Sequence, residues 1–491
     1  MYHASEPHCG WENVPVRPDR PYTYLSTTTG MCRACRDLVT ARLIERGGAV
    51  FQQNLCPRCG LSEALVAEDF AWYARTLATV VRLHPPRQEG HPVQLGCPHD
   101  CGPCAFHAGT CHLPVFSITN ACELACPICF TFNRPDRLYH MEREELAVLL
   151  DRLLARTGPV DLINLTGGEP FLHPRLFDLI AEATARPEIG RITVNTNGLR
   201  LAREPDLARR LADLGAYVIL SFDTFEPATS IRIHGRDLVA AKRQALDALQ
   251  AAGVGVTLLH VLIPGLNERE FGPLLDLALA TPVVRSITVQ TMTYTGAGGG
   301  AFAPRTHLPL DRAARLIEEA TGGRLRRAFF RPLPTAHPLC YQIAYAFKAG
   351  DRLFDFGEVF SPDEFERLLG PGYLMRPTDD TADLFQDALN RLWARNGDPA
   401  LLASFRRTID ALFPPSGPRL TPAQRQKIGE AQVLTVYLHA HMDEDNFDVA
   451  RVSTCPDQVP DSAGRLIPAC AYNLFYRRQD PRFWHGKDAP S

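Results

Sequence analysis

Between residues 115 and 290, short β-branched runs alternate with amphipathic segments, which predicts strands at 115–118, 162–165, 192–194, 217–221, 256–263 and 286–290. After the first of these, Leu146, Leu149, Leu150, Leu153 and Leu154 recur at helical spacing and define one apolar face. That stripe reads as core rather than as a cofactor box. Strands and helices in alternation predict an α/β domain with a parallel sheet. The strands run into polar or glycine residues at their carboxyl ends: Thr166-Gly167-Gly168-Glu169, Asn195-Thr196-Asn197-Gly198, Ser221-Phe222-Asp223, Pro264-Gly265 and Gln290-Thr291. Parallel β/α barrels build their sites at that end. Six units fall short of the eight of a closed barrel, so a partial (β/α)6 barrel is expected. Beyond Gly300 the pattern turns mainly helical, with candidate helices at 311–320, 381–413 and 421–443, and this region is expected to cover the barrel mouth.

The chain has 491 residues, more than one core usually serves, so two or three domains are expected. Hydrophobic residues make up 45% and charged residues 22%, the balance of a globular protein. A net charge of −3 gives no bulk attraction to nucleic acid, and no nucleic-acid partner is expected. Met1 to Gly10 has no apolar leader, and no run approaches the roughly eighteen apolar residues of a transmembrane segment, so a cytoplasmic protein is expected. There are 15 cysteines, most of them two or three residues apart, a spacing that suits shared metals better than disulfides.

The cysteines fall into sets. In Thr119-Asn120-Ala121-Cys122-Glu123-Leu124-Ala125-Cys126-Pro127-Ile128-Cys129-Phe130, three thiols follow a candidate strand. Three thiolates can hold three irons of a 4Fe-4S cluster and leave the fourth iron open for catalysis. Structural zinc, by contrast, wants four ligands and a redox dithiol two. Cys97, Cys101, Cys104 and Cys111 supply four thiolates, enough to close an auxiliary 4Fe-4S cluster that relays electrons or staples the fold, with zinc as the alternative. Cys32, Cys35, Cys56 and Cys59 have the two-knuckle spacing of a mononuclear iron or zinc site. Cys340, Cys455 and Cys470 are far apart in sequence. They are either separate buried cysteines or the ligands of a further cluster, whose fourth ligand would be His337, His441, Cys9 or an exogenous molecule.

The Cys-x3-Cys-x2-Cys spacing at Cys122, Cys126 and Cys129 resembles the radical S-adenosylmethionine (SAM) superfamily. The resemblance implies that the open iron chelates the amino and carboxylate groups of SAM. Reductive cleavage would then give a 5′-deoxyadenosyl radical that takes hydrogen from an unactivated carbon. Thr166-Gly167-Gly168-Glu169-Pro170 looks like the superfamily's GGE motif, whose backbone and carboxylate receive the methionine amino group. Glycine permits the close backbone approach, and a carboxylate matches an ammonium. Asn195, Thr196 and Asn197 resemble the ribose-facing residues of the next strand, and Ser221 and Asp223 occupy the corresponding end of the fourth. Val261-Leu262-Ile263-Pro264-Gly265-Leu266-Asn267-Glu268 resembles the adenine-contacting strand end. An electron donor such as flavodoxin or ferredoxin is implied as a partner.

The order of parts is more specific than the triplet. Gly96-Cys97-Pro98-His99-Asp100-Cys101-Gly102-Pro103-Cys104 with His107 and Cys111, then His337-Pro338-Leu339-Cys340, Asn446-Phe447-Asp448 and Pro468-Ala469-Cys470-Ala471-Tyr472-Asn473 resemble the archaeal tetraether lipid synthase family and its bacterial relatives, part of which is known as pterin dimethyltransferase. Pro456 follows Cys455 where such relatives often carry a second cysteine. The resemblance implies one or two auxiliary 4Fe-4S clusters, a rubredoxin-like or zinc-ribbon-like metal site, and hydrogen abstraction leading to C–C bond formation on a lipid alkyl chain. A lipid substrate would bring peripheral membrane contact. Methylation of a pterin-like small molecule is the alternative, and a zinc-ribbon binding module is the reading from a different class. The expected domains are 1–90 (cysteine-rich, metal-binding), 91–112 (cluster loop), 113–296 (barrel) and 297–491 (mainly helical), with linkers at residues 84–92 and 296–300.

Overall fold

The computed structural model describes residues 20–79, 92–102, 104–131, 138–296, 298–302, 304–369, 372–375, 377–416 and 419–483. Cys9, residues 84–91 of the first expected linker and Ala297 of the second lie outside them.

The amino-terminal part is an antiparallel meander of β1 (Thr23–Met31), β2 (Leu38–Arg46), β3 (Ala49–Cys56) and β4 (Gly60–Ala67), in that spatial order. It alone could bury little, and it docks through polar side chains of β3. Gln52 Nε2 donates to the Phe447 carbonyl at 2.7 Å and Asn54 Nδ2 to the Asp445 carbonyl at 2.9 Å.

The barrel strands are β5 (Leu113–Thr119), β6 (Ile163–Gly167), β7 (Ile192–Thr196), β8 (Tyr217–Ser221), β9 (Val256–Leu262) and β10 (Val284–Thr291). They pair in sequence order and in parallel, as the alternating pattern predicts. Outward residues such as Phe116, Ile118 and Leu165 pack with Leu146, Leu149, Leu150 and Leu153 of the helix Arg143–Thr157, while Leu154 of the same stripe is only partly buried. Burying each of those leucines contributes about 2 kcal/mol.

The carboxyl-terminal region adds β11 (Arg331–Pro332), β12 (Tyr341–Ala349), β13 (Arg352–Asp355), β14 (Val433–His439), β15 (Asp457–Pro460) and β16 (Leu466–Pro468) among its helices. The candidate helix at 311–320 is Leu310–Ala320. That at 381–413 is two helices, Ala382–Ala394 and Pro399–Leu412, split where Asn396 takes a left-handed φ of 51° and Pro399 opens the second. That at 421–443 is corrected more deeply: a helix over Pro422–Gln432 gives way to β14. Every residue of Val433–His439 is buried, as suits a central strand covered on both faces, where helical and strand periodicities look alike.

These strands change the shape of the barrel. β14 pairs in parallel with β10, and β15 in parallel with β5, so the sheet is prolonged on both flanks. The flanks meet where the Tyr341 hydroxyl of β12 donates to the Asp457 carboxylate of β15. The region expected over the barrel mouth thus joins the two flanks of the barrel sheet. Among the described residues no helix is long and apolar enough to cross a membrane.

Candidate radical SAM active site

A cavity of about 340 Å³ fills the barrel, within the range of small-molecule sites. Its wall holds Cys122, Cys126 and Cys129 together with Gly167, Gly168, Glu169, Asn195, Thr196, Asn197, Ser221 and Asp223. The cysteines and the polar strand-end residues assigned from sequence to the SAM site are thus brought to one place, while Val261 alone represents the segment Val261–Glu268 expected at the adenine.

The two glycines are needed because the β6 end lies directly on the segment that leads into the cysteine loop. Gly168 N–H donates to the Thr119 carbonyl and Glu169 N–H to the Ala121 carbonyl, both at 2.7 Å. A Cβ at Gly167 or Gly168 would overlap those same carbonyl oxygens, and Gly167 has a φ of 137°. The Glu169 carboxylate braces the next strand end, accepting from Phe171 N–H (3.0 Å), Thr196 Oγ1 (2.7 Å) and Asn197 N–H (2.8 Å). Burial, partly offset by these donors, pushes its carboxyl up to about 7. An ionised carboxylate accepts about four hydrogen bonds, so beside these three donors it has room for one more, such as a ligand ammonium.

The donor set fits a cluster with bound SAM. Burial pushes the Cys122 and Cys126 thiols up to about 12, so thiolates at this depth call for a cation such as cluster iron. Asn197 Nδ2 is buried on the cavity wall without a hydrogen-bond partner among the described residues, a donor available to a carboxylate or hydroxyl of the cofactor.

Ser221 and Asp223 carry a feature not visible in sequence. Lys242 Nζ, fully buried, donates to Ser221 Oγ and meets His234 Nε2, both at 3.0 Å, and stands 3.6 Å from Asp223 Oδ2. His234 lies 3.1 Å from the same carboxylate oxygen and turns Nδ1 toward Cys126 Sγ at 3.7 Å. Burial alone would raise the Asp223 carboxyl, but Lys242 and His234 hold it well below the usual range. Asn267 bonds to the carbonyls of Asp223 and Val261 and braces the strand end predicted to contact adenine, where Val261 lines the cavity.

The other cysteines sort less evenly. Cys32, Cys35, Cys56 and Cys59 place their sulfurs within 4.8 Å of one another, with Cys35 and Cys56 3.7 Å apart. Metal–sulfur bonds of about 2.3 Å in a tetrahedron give edges of about 3.8 Å, so a single ion fits. The Cys59 N–H lowers Cys56 to about 7, while hydrogen bonding with Cys35 and Cys32 raises Cys59 to about 12, as expected of thiols sharing one charge.

Cys97, Cys101 and Cys104 line a second, smaller cavity with His107, but Cys111 is not on its wall. Cys111 precedes β5, whose pairing of Leu113 with Asp457 holds it, and its thiol takes the N–H groups of Leu113 and Gln458 amid apolar core. His107, kept neutral by burial at about 4, stands on that wall beside the three cysteines.

Cys340, Cys455 and Cys470 do converge, lining one cavity with His439, His441 and Arg451. Arg451 Nε donates to Cys340 Sγ at 3.3 Å, and His441 Nδ1 stands 3.6 Å from Cys470 Sγ. Of the fourth ligands considered, His441 reaches this cavity; His337 is not on its wall. Tyr341, His439, His441 and Asp457 line both this cavity and the barrel cavity and so form a shared partition.

Comparison with known proteins gives the same class. Residues 116–278 match the model of the radical SAM superfamily, and residues 24–68 that of the HMPTM N-terminal zinc ribbon domain. The chain is a radical SAM enzyme. It is 24% identical over 489 residues to 7,8-dihydro-6-hydroxymethylpterin dimethyltransferase of Methanocaldococcus jannaschii, covering 92% of this chain and 94% of that one. GTP 3',8-cyclase of Chlorobaculum tepidum is 34% identical over 163 residues, 33% of this chain and 48% of the cyclase, so the chain spans about half of that relative. Streptococcus suis SuiB bound to precursor peptide SuiA aligns with a TM-score of 0.37 and 13% identity over 61% of this chain and 69% of that one.

Proposed function

We propose that the chain modifies a pterin-like heterocycle by radical SAM chemistry, transferring a carbon unit to it. The observation that carries this reading is the end-to-end similarity to the pterin dimethyltransferase, which runs through the zinc ribbon, the barrel and the carboxyl-terminal region alike. It favours the pterin alternative over the lipid alkyl chain expected first. When bound, the open 4Fe-4S cluster and SAM supply a carbon-centred radical able to take a hydrogen atom from an inert C–H bond. Cys122, Cys126 and Cys129 would hold the cluster. Gly167, Gly168, Glu169 and Asn197 would bind and orient the methionine end of SAM, with Asn195 and Thr196 beside the ribose. The joined flanks of the barrel sheet would keep solvent from the reacting carbon.

We further read the Cys340, Cys455 and Cys470 cavity, and that of Cys97, Cys101, Cys104 and His107, as auxiliary cluster sites, and the four-cysteine knuckle as a zinc or mononuclear iron site. A flavodoxin or ferredoxin would supply electrons.

The test compares substrates on anaerobically reconstituted holoenzyme with SAM and reductant. A reduced 6-hydroxymethylpterin should accelerate formation of 5′-deoxyadenosine, and the recovered pterin should carry added carbon in a cell extract that supplies the carbon donor. Stimulation by an alkyl phospholipid and none by the pterin would sink the reading while leaving the radical chemistry intact.

A further inference from the structure

The partition between the two cavities contains an acceptor with nothing to accept. Asp457 is 3% exposed and lines the barrel cavity. Its Oδ2 receives the Tyr341 hydroxyl and lies 3.7 Å from His439 Nε2, whereas Oδ1 is buried with no hydrogen-bond partner among the described residues. Aromatic rings stand around it: Tyr341 stacks on His439 with centroids 3.8 Å apart, and Tyr373 stacks on Tyr437 at 5.3 Å. All four rings lie on the wall of the barrel cavity.

A buried oxygen without a donor is costly unless a ligand supplies one. An alkyl chain has none and would leave Asp457 unsatisfied against hydrocarbon. A planar heterocycle with two adjacent N–H groups on one edge matches a carboxylate in the paired geometry that makes such contacts strong, and its faces suit an aromatic enclosure. We propose that Asp457 recognises the amino-pyrimidine edge of the substrate, accepting from the exocyclic 2-amino group and the ring N3–H, while Tyr341 holds the carboxylate in place. This rests on the pterin reading and names the residue that would enforce it. Asp457 is thereby a specificity residue as well as a pin between the sheet flanks.

The test measures binding of 6-hydroxymethyl-7,8-dihydropterin, and of its analogue with oxygen in place of the 2-amino group, to the reconstituted holoenzyme and to Asp457→Asn. Iron content and substrate-free SAM cleavage confirm that the variant is loaded. The native enzyme should prefer the pterin by about 10- to 100-fold, the range expected for a charged hydrogen bond. Asp457→Asn should reverse or erase that preference, because an amide can donate to the 2-oxo group. A variant that weakens both ligands equally, or changes neither, overturns the proposal while the pterin reading stands. Native enzyme that binds neither ligand overturns both. If Asp457→Asn loses its iron, Tyr341→Phe replaces it: without the hydroxyl that holds it the carboxylate loses its orientation, so preference for the pterin should fall severalfold, and an unchanged preference overturns the proposal.

Discussion

Cys122, Cys126 and Cys129 come from one loop beside one strand, and two backbone hydrogen bonds from Gly168 and Glu169 hold the segment leading into that loop. Cys340, Cys455 and Cys470 come from three separate segments, and they meet because β12, β14 and β15 fold onto the two flanks of the barrel. The first centre needs its own loop and one neighbour; the second needs most of the carboxyl-terminal region to be in place. A local centre should therefore fail through its loop, and an assembled one should fail without disturbing the other.

The largest effect tests the local half of that contrast. Gly168→Ala puts a methyl group against the Ala121 carbonyl and should displace the cysteine loop as surely as removing a ligand. Formation of 5′-deoxyadenosine should fall by at least about a hundredfold, as when interactions that position a reacting centre are lost. The cluster's absorbance should fall with it. Full activity in this variant would show that the loop holds itself without the glycine pair.

The next tests the assembled half. Cys340→Ala should lower iron and sulfide by the content of one cluster and abolish substrate modification, yet leave uncoupled SAM cleavage within about threefold of native, a small coupling for two sites that share a wall but no cysteine. If SAM cleavage disappears with the iron, the two centres are not independent, and the shared partition transmits the damage.

A smaller effect sharpens what surrounds the local cluster. His234 points Nδ1 at Cys126 Sγ, and a hydrogen bond to a ligating sulfur stabilises the reduced, more negative cluster. Replacing His234 with Leu removes about 1 kcal/mol of that preference, which for a one-electron couple is about 40 mV downward in midpoint potential. Redox titration followed by electron paramagnetic resonance reads it directly. An unchanged potential would reduce His234 to a packing role beside Lys242.

The same contrast explains what could be read from the chain beforehand. The six barrel strands, the cysteine loop and the glycine-glutamate turn are encoded within a few residues each, and the structure places them as expected. Spacing also cannot show that β5 and β15 pair, which sets the Cys111 thiol beside the N–H groups of Leu113 and Gln458. The strand at Val433–His439 reads as helix in the sequence because a fully buried run has no polar face to betray its period. Lys242, His234 and Asp457 gave no usable signal, since a buried charge is recognised by its partners and those lie on other elements.

The smallest prediction concerns the loop that follows β14 and carries His441 toward the assembled centre. There His307 Nε2 bonds to Asp443 at 3.0 Å, with Asp445, Arg305 and Tyr294 also facing it. Burial disfavours the charged ring, but the hydrogen bond and charge of Asp443, aided by Asp445, outweigh it and raise the pKa. A group whose folded pKa lies above its unfolded value stabilises fully below the unfolded value of about 6.5, and that contribution is lost as pH rises through the folded value. Thermal unfolding of the holoenzyme should therefore show a Tm that falls by at most about 1 °C across this window in the native chain and not in His307→Gln. The sign is the useful part: a Tm that rises with pH through the window in the native chain alone would mean that the ring is neutral in the fold, and that the loop delivering His441 is held by packing instead of by this pair.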